Sequence, residues 1–132
     1  DLAGLVNFVS IGTNDLSQYL FAADRMHPEL GGFSNPWQPG LLRNVSQVVT
    51  HAKALGIPVG VCGESAANPL LAIVFAGLGV ESVSAAPSAV DSVSEALRAV
   101  GAQKASEAAT LALRASTAED AEASVRSLFE GD

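Results

Sequence analysis

Two short stretches of this 132-residue chain place chemically versatile polar side chains directly after apolar runs. The first, "SIGTNDLSQYLFAADR", carries Asn14, Asp15 and Arg25, and the second, "VCGESA", carries Cys62 and Glu64. The carboxylate of Asp15 is a hard oxygen ligand suited to Mg²⁺, and the amide of Asn14 can bind a phosphate oxygen. The guanidinium of Arg25 can clamp a phosphate, and the Cys62 thiol can donate or accept a proton, with Glu64 near enough in sequence to tune it. The set suggests phosphoryl chemistry on a small anion.

Each of these residues also has a more common structural role. Asn and Asp after a glycine are frequent turn residues, and an arginine is usually a solvated surface charge. A single cysteine at a strand end often packs as a small apolar side chain, and Glu64 is equally suited to a helix cap or the surface. We assign no catalytic role to His27 or His51, and we expect Trp37 to anchor a long loop.

The composition narrows the classes of partner. A net charge of −7 argues against nucleic acid or an anionic membrane surface, because both require a basic face. No apolar run approaches the ~20 residues of a membrane span. The single cysteine cannot form an internal disulfide, which fits a reducing compartment. We therefore expect a cytoplasmic protein with no nucleic acid partner and no membrane insertion.

The apolar runs that precede the polar stretches have the pattern of buried strands. They are short, rich in β-branched residues and closed by Gly or Ala-Pro, and they cover residues 5–11, 58–62 and 80–84. After a polar loop, apolar residues at helical spacing predict a helix over residues 41–55, which Gly56 is placed to end.

Further helices follow the second and third strands. One begins at Pro69, after Asn68, and runs to Gly77. The next begins after Ser88, which forms a capping-box-like pair with Asp91. The buried stripe of this helix consists of Val90, Val93, Leu97 and Val100.

Residues 103–130 are predicted to form an alanine-rich helical hairpin. Thr117 caps its second helix, whose inner face carries Ala121, Val125 and Leu128. The order is therefore three strand–helix units, over residues 1–102, followed by appended C-terminal helices over residues 103–132.

Alternating strands and helices of this kind form parallel sheets with right-handed crossovers. Three parallel strands are few for a finished α/β domain, because both faces need cover and both edges expose backbone groups. We therefore expect about three βα units of a larger barrel, and a chain that begins without Met fits a piece of a longer protein. In such barrels functional groups gather at the C-terminal strand ends, so Asn14, Asp15, Cys62 and Glu64 should converge on one rim, with Arg25 returned to it by a loop or helical turn.

Taken together, the two stretches resemble the signature of the phosphoenolpyruvate-utilising enzymes. "SIGTNDLSQYLFAADR" matches the family pattern Ser-x-Gly-Thr/Ser-Asn-Asp-Leu-x-Gln followed by an Arg, and "VCGESA" matches its Cys-Gly-Glu block. "GLGVESVSAAPSAV" resembles the last barrel strand and the start of the final helix. Within the family, the chain is most similar to the C-terminal part of the enzyme I group of the sugar phosphotransferase system. Pyruvate phosphate dikinase and phosphoenolpyruvate synthase remain alternatives.

The resemblance implies a fold and a reaction. The fold is the C-terminal portion of a TIM (β/α)₈ barrel that binds phosphoenolpyruvate and Mg²⁺. Asp15 would be the Mg²⁺ ligand, Asn14 and Arg25 would bind the phosphate, and Cys62, supported by Glu64, would protonate the enolpyruvate carbon to give pyruvate. The phosphoryl group would pass to a histidine on a separate domain and then to the phosphocarrier protein HPr.

The chain also departs from the family pattern. It would supply about three of eight βα units, without the second Mg²⁺ carboxylate, the further substrate arginines and the phosphohistidine domain. Met26 and His27 stand where the family often has Gly-Asn, and Asn68 stands where it commonly has an aspartate. We therefore expect the isolated chain to be inactive. Two alternative functions are a homodimerisation module and a stand-alone binder of a phosphorylated metabolite.

Overall fold

The computed structural model of the chain describes residues 3–24 and 26–130. It is a mixed α/β fold around a parallel sheet of three strands, β1 (Val9–Gly12), β2 (Val59–Cys62) and β3 (Ser82–Ser84). The strands lie in the order β1-β2-β3, so β2 is central. The expected α/β class with parallel strands is confirmed.

The first strand is shorter than the apolar run predicted. The run was expected to be a strand over residues 5–11 that is buried on both faces, but β1 begins at Val9, and both Leu5 and Phe8 are largely exposed. The ladder begins where the Val9 amide donates to the carbonyl of Pro58. Pro58 has no N–H to donate in return, so the pairing cannot extend towards the N-terminus. Apolar content alone therefore misjudged the strand.

The described part of the chain contains six helices. They are α1 (Thr13–Phe21), α2 (Pro39–Ala54), α3 (Pro69–Leu78), α4 (Pro87–Ala99), α5 (Ala102–Arg114) and α6 (Ala118–Glu130). Two 3₁₀ segments, Pro28–Ser34 and Glu64–Ala67, lie in the connections. None of the helices in the described residues is long and apolar enough to cross a bilayer.

The predicted ends of three helices are confirmed, two by hydrogen bonds and one by its backbone conformation. The Asn68 side chain accepts from the amides of Leu70 and Leu71 at the start of α3, as an N-cap residue should. The Thr117 hydroxyl likewise accepts from the Asp120 amide at the start of α6. Gly56, at φ +69°, follows the end of α2, where its left-handed backbone suits glycine.

The start of α4 differs from the prediction. The helix begins at Pro87, one residue before Ser88, and the side chain of its N-cap residue Ala86 makes no capping bond. A proline in the first turn already fixes a helical φ, so the helix starts there and the proposed Ser88–Asp91 capping box is wrong. Val90, expected in the buried stripe, is 46% exposed on the outer side of α4.

The two faces of the sheet differ sharply in side-chain type. Because side chains alternate along a strand, the register places apolar residues on one face, where helices cover it: Val9, Ile11, Val59, Val61 and Val83. The opposite face carries small residues: Ser10, Gly60, Cys62, Ser82 and Ser84. The helical core therefore lies against one side of the sheet.

The C-terminal hairpin belongs to the same hydrophobic core as the strands. Helix α5 packs on α3 at close range, with alanines of both hairpin helices buried against the core. Arg43 of α2 fastens the far end of α5, since its guanidinium donates to the carbonyls of Leu113 and Ala115 at 3.1 and 3.0 Å. Trp37, only 2% exposed, anchors the long loop before α2 as predicted.

Candidate functional site

The stretch after β1 forms the start of a helix. Gly12 is the N-cap residue of α1, and the helix begins at once with Thr13. Asn14 is half-buried and Asp15 is exposed in the first turn, where the helix dipole favours a negative charge. Asn and Asp after a glycine are frequent turn residues, but here both lie inside the first turn of the helix.

The stretch after β2 makes a sharp turn. Cys62, half-buried, is the last residue of β2, and Glu64, exposed, opens the following 3₁₀ segment. Between them Gly63 has φ +105°, a backbone that side-chain-bearing residues rarely adopt. This turn separates the thiol from the carboxylate while keeping both at the same end of the sheet.

The structure brings the two stretches together at the C-terminal ends of β1 and β2. Gly12 is registered with Cys62, and Asn14 and Glu64 line one small pocket. Asp15 faces a neighbouring open groove, which Asp24 also lines. Arg25 lies outside the described residues, so its predicted return to this rim stays a prediction.

Three hydroxyl side chains that were not among the predicted site residues also lie at this rim. Thr13 Oγ1 donates to the carbonyl of Cys62 at 3.2 Å and lies 2.6 Å from Ser65 Oγ, with both residues almost fully buried. We name Thr13, Ser65 and the Cys62 carbonyl the hydroxyl clamp. Ser10 Oγ donates to Cys62 Sγ at 3.6 Å. Their sequence signal was available, because all three hydroxyls lie inside the two quoted motifs.

The donor set at the rim fits part of a magnesium shell. Within residues 3–24 and 26–130 there is no group of three or more His, Cys, Asp or Glu side chains that could hold a metal ion. The rim offers the Asp15 carboxylate and the Asn14 amide. Proteins usually bind Mg²⁺ through one or two carboxylates, with waters and substrate phosphates completing the shell, so a partial set of oxygen ligands is compatible with such a site.

The two histidines are not part of the candidate site. His27 is exposed just before the first 3₁₀ segment. His51 is exposed on α2, where its Nδ1 lies 2.7 Å from the carbonyl oxygen of Gln47 in the preceding turn. Both histidines are therefore surface side chains.

The chain is similar to known proteins of one family. Residues 1–102 match the family described as "PEP-utilising enzyme, PEP-binding domain". The chain is 42% identical over 127 residues to the phosphoenolpyruvate-protein phosphotransferase of Streptomyces coelicolor, which covers 96% of this chain and 23% of that protein. It is 45% identical over 98 residues to the multiphosphoryl transfer protein of Rhodobacter capsulatus, covering 74% of this chain and 12% of that protein.

A third relative has the same relation to the chain. The phosphoenolpyruvate-protein phosphotransferase of Chlamydia trachomatis is 39% identical over 114 residues, covering 86% of this chain and 20% of that protein. The chain thus spans less than a quarter of the length of each of these three relatives.

Proposed function

The chain belongs to the phosphoenolpyruvate-utilising enzymes, in the region of their phosphoenolpyruvate-binding domain, and on that premise we propose that it supplies part of the substrate site of a phosphoenolpyruvate-protein phosphotransferase. The observation that carries the proposal is the junction of the two motifs. Asn14 and Glu64 line one pocket, and Cys62 is registered with the residue that caps α1. Similarity to two phosphotransferases along most of this chain supports the same assignment.

The roles of the residues follow from the chemistry of the substrate. The bond between phosphorus and the enol oxygen breaks, and the phosphoryl group moves to a histidine elsewhere in the enzyme and from there to HPr. The enolate left behind takes a proton from the Cys62 thiol at its methylene carbon, which gives pyruvate and a thiolate that regains its proton from water. Asn14 and Arg25 hold the phosphate, and Glu64 supports the thiol.

The negative charge on the phosphoryl group requires cations nearby, because the chain itself is also negative, with a net charge of −7. Asp15 would hold Mg²⁺ at the rim beside Asn14, and the ion would neutralise negative charge on the phosphate and the enolate oxygen when bound. Arg25 adds a fixed cation with a fork suited to phosphate oxygens.

The architecture of the whole site is part of the proposal. Strands β1, β2 and β3 are parallel and end in polar groups at one side, as in a (β/α)₈ barrel, where active sites lie at the C-terminal strand ends. We propose that they are three of the eight strands of such a barrel. The small side chains on the sheet face opposite the helices would then lie in the barrel interior.

Substitutions in the full-length native protein that contains these residues test the proposal. Cys62→Ala and Asp15→Ala should each lower the rate of pyruvate formation from phosphoenolpyruvate by about 100-fold or more. The control Thr110→Val, on the exposed side of α5, should leave the rate unchanged. Pyruvate formation at the wild-type rate in both site variants would refute the proposal.

Titration calorimetry on the 132-residue chain then measures whether these residues bind phosphoenolpyruvate without the rest of the barrel. Heat with phosphoenolpyruvate that requires Mg²⁺, and that Asp15→Ala removes, would show that these residues bind the substrate by themselves. The absence of heat at millimolar substrate would show that binding needs the other strands.

A second candidate function is assembly. In the described part of the chain, β1 and β3 each pair with β2 alone, so the sheet has two open edges. Large apolar side chains are exposed near one of them, including Leu5 and Phe8. In the isolated chain, open edges and exposed apolar groups favour association with a second copy, so homodimerisation is the second candidate function.

Light scattering separates assembly from catalysis. If the chain is an assembly module, its mass should double as concentration rises, and Phe8→Asp should abolish the change. A monomer mass over a wide concentration range would leave catalysis as the function of these residues.

A further inference from the structure

The hydroxyl clamp extends the connection between β1 and β2 beyond their backbone ladder. The last registered pair of the ladder is Gly12 with Cys62. The clamp connects Thr13, the residue after β1, to Cys62 and to Ser65 in the segment after β2. Thr13 has a single hydroxyl proton, which it donates to the Cys62 carbonyl. Ser65 must therefore be the donor in the 2.6 Å contact with Thr13 Oγ1. The clamp is thus a directed chain from Ser65 through Thr13 to Cys62.

The turn after Cys62 is shaped tightly around this hydroxyl. A Cβ atom on Gly63 would lie 3.0 Å from Thr13 Oγ1 and 3.5 Å from Asn14 Oδ1. Glycine at this position therefore lets the backbone approach both side chains closely. The Ala66 amide then donates to the Gly63 carbonyl at 3.1 Å, which closes the turn on its other side.

The clamp lies between the groups that would act on the substrate. Thr13 directly precedes Asn14 and Asp15 on α1, and Ser65 follows Glu64 in the 3₁₀ segment. Its two hydroxyl residues are 2% and 1% exposed, and a buried hydrogen bond is protected from competition by water. The clamp consequently fixes the position of Asn14 relative to the backbone of Cys62, the proposed proton donor.

We infer that Thr13 and Ser65 are positioning residues for proton transfer, which hold the Cys62 thiol in register with the first turn of α1. The inference rests on the proposed function, because it assigns the thiol its substrate. Neither hydroxyl touches the reacting atoms in this assignment. They act through the carbonyl of Cys62, so removing them should misplace the proton donor and leave phosphate binding largely intact.

Hydrogen exchange at pyruvate isolates this step. In deuterated water with Mg²⁺, the Cys62 thiolate removes a proton from the methyl carbon of pyruvate, leaving an enolate and a thiol. The thiol exchanges its proton for a solvent deuteron and returns it to the carbon. The exchange rate in the native polypeptide is measured by NMR and divided by the concentration of binding sites, obtained from calorimetric titration with phosphoenolpyruvate. A variant that is merely less folded loses sites, but its exchange rate per site does not change.

Three variants give a graded expectation. Thr13→Val keeps the shape but removes the hydroxyl, and it should lower the exchange rate per site by about 10- to 100-fold, as displaced catalytic groups do. Ser65→Ala leaves the bond from Thr13 to the carbonyl in place and should lower the rate less. Thr13→Ser retains the hydroxyl and should stay within about threefold of wild type. The affinity for phosphoenolpyruvate should change by about threefold or less in all three.

The outcomes separate this inference from the proposed function. If Cys62→Ala abolishes exchange while Thr13→Val and Ser65→Ala exchange at the wild-type rate per site, the inference is wrong and the proposed function stands. If Cys62→Ala exchanges at the wild-type rate, the proposed function fails, and the inference fails with it. If Thr13→Val and Ser65→Ala lose affinity in proportion to exchange, the clamp shapes the whole rim, and the positioning role is refuted. Ser65→Ala decides the matter if Thr13→Val does not fold.

Discussion

At the scale of single residues, Gly63 decides how closely the two motifs approach. Its φ of +105° turns the chain away from β2 immediately after Cys62. Its missing side chain leaves room for the Thr13 hydroxyl, since a Cβ atom would come within 3.0 Å of that oxygen. Backbone conformation and steric fit therefore both demand glycine here.

Replacing Gly63 with alanine should lower the free energy of unfolding by about 1–3 kcal/mol, because the new methyl group meets strain in both respects. Urea denaturation measures the change. Gly31→Ala is the matched control, since its φ is not positive and nothing lies within 4 Å of its Cβ position. Equal stability of the two variants would show that the turn relaxes at no cost.

At the scale of elements, the contact between α3 and α5 is set by another glycine. A Cβ atom on Gly77 of α3 would collide with the carbonyl group of Ala105 on α5, and it would lie 2.9 Å from the Cβ of Ala109. Small residues on both helices let their backbones approach closely. This packing explains why α5, which begins at the last residue of the family match, is held against the βα part of the chain.

Gly77→Ala should therefore push α3 and α5 apart and destabilise the fold by about 1–3 kcal/mol, as overpacking does in cores. The obstacle is backbone, which cannot rotate away, so the upper end of this range is expected. Ala76→Ser, at the exposed neighbouring position of the same helix, should change stability by less than about 0.5 kcal/mol. Urea midpoints that coincide for the two variants would contradict the close contact.

At the scale of the whole molecule, strands and hairpin share one core. Buried residues of β1 and β2 belong to the same hydrophobic cluster as Trp37 and the alanines of α5 and α6. Arg43 adds polar bonds from α2 to the end of α5. Removing either part would expose apolar surface of the other, so the chain should behave as one cooperative unit.

Trp37 makes this cooperativity measurable, because it is the chain's single tryptophan and is buried far along the sequence from the hairpin. Tryptophan fluorescence and far-ultraviolet circular dichroism should give the same thermal midpoint. Gly77→Ala, which acts on the hairpin contact, should lower both midpoints equally, by roughly 3–5 °C per kcal/mol lost. Two separate transitions would show that the hairpin unfolds independently.

Local patterns predicted the elements whose ends carry local signals. Helix α3 begins at a proline after an asparagine cap, and α6 begins after the Thr117 cap, as predicted. Patterns failed where a neighbour decided the outcome. The first strand was cut short by Pro58 on the adjacent strand, and Val90 is exposed because nothing in this part of the chain packs on that side of α4 among the described residues.

The sequence by itself determined the α/β class, the family and the two motifs to which we assign the chemistry, because residue types and spacing along the chain suffice for these. Only the tertiary structure decided that Asn14 and Glu64 share a pocket and that Asp15 opens on a neighbouring groove. It alone revealed the clamp that joins Thr13 to Ser65, 52 positions apart. The physical reason is that hydrogen bonds between distant residues depend on strand register, and register is set by packing and pairing across the whole sheet.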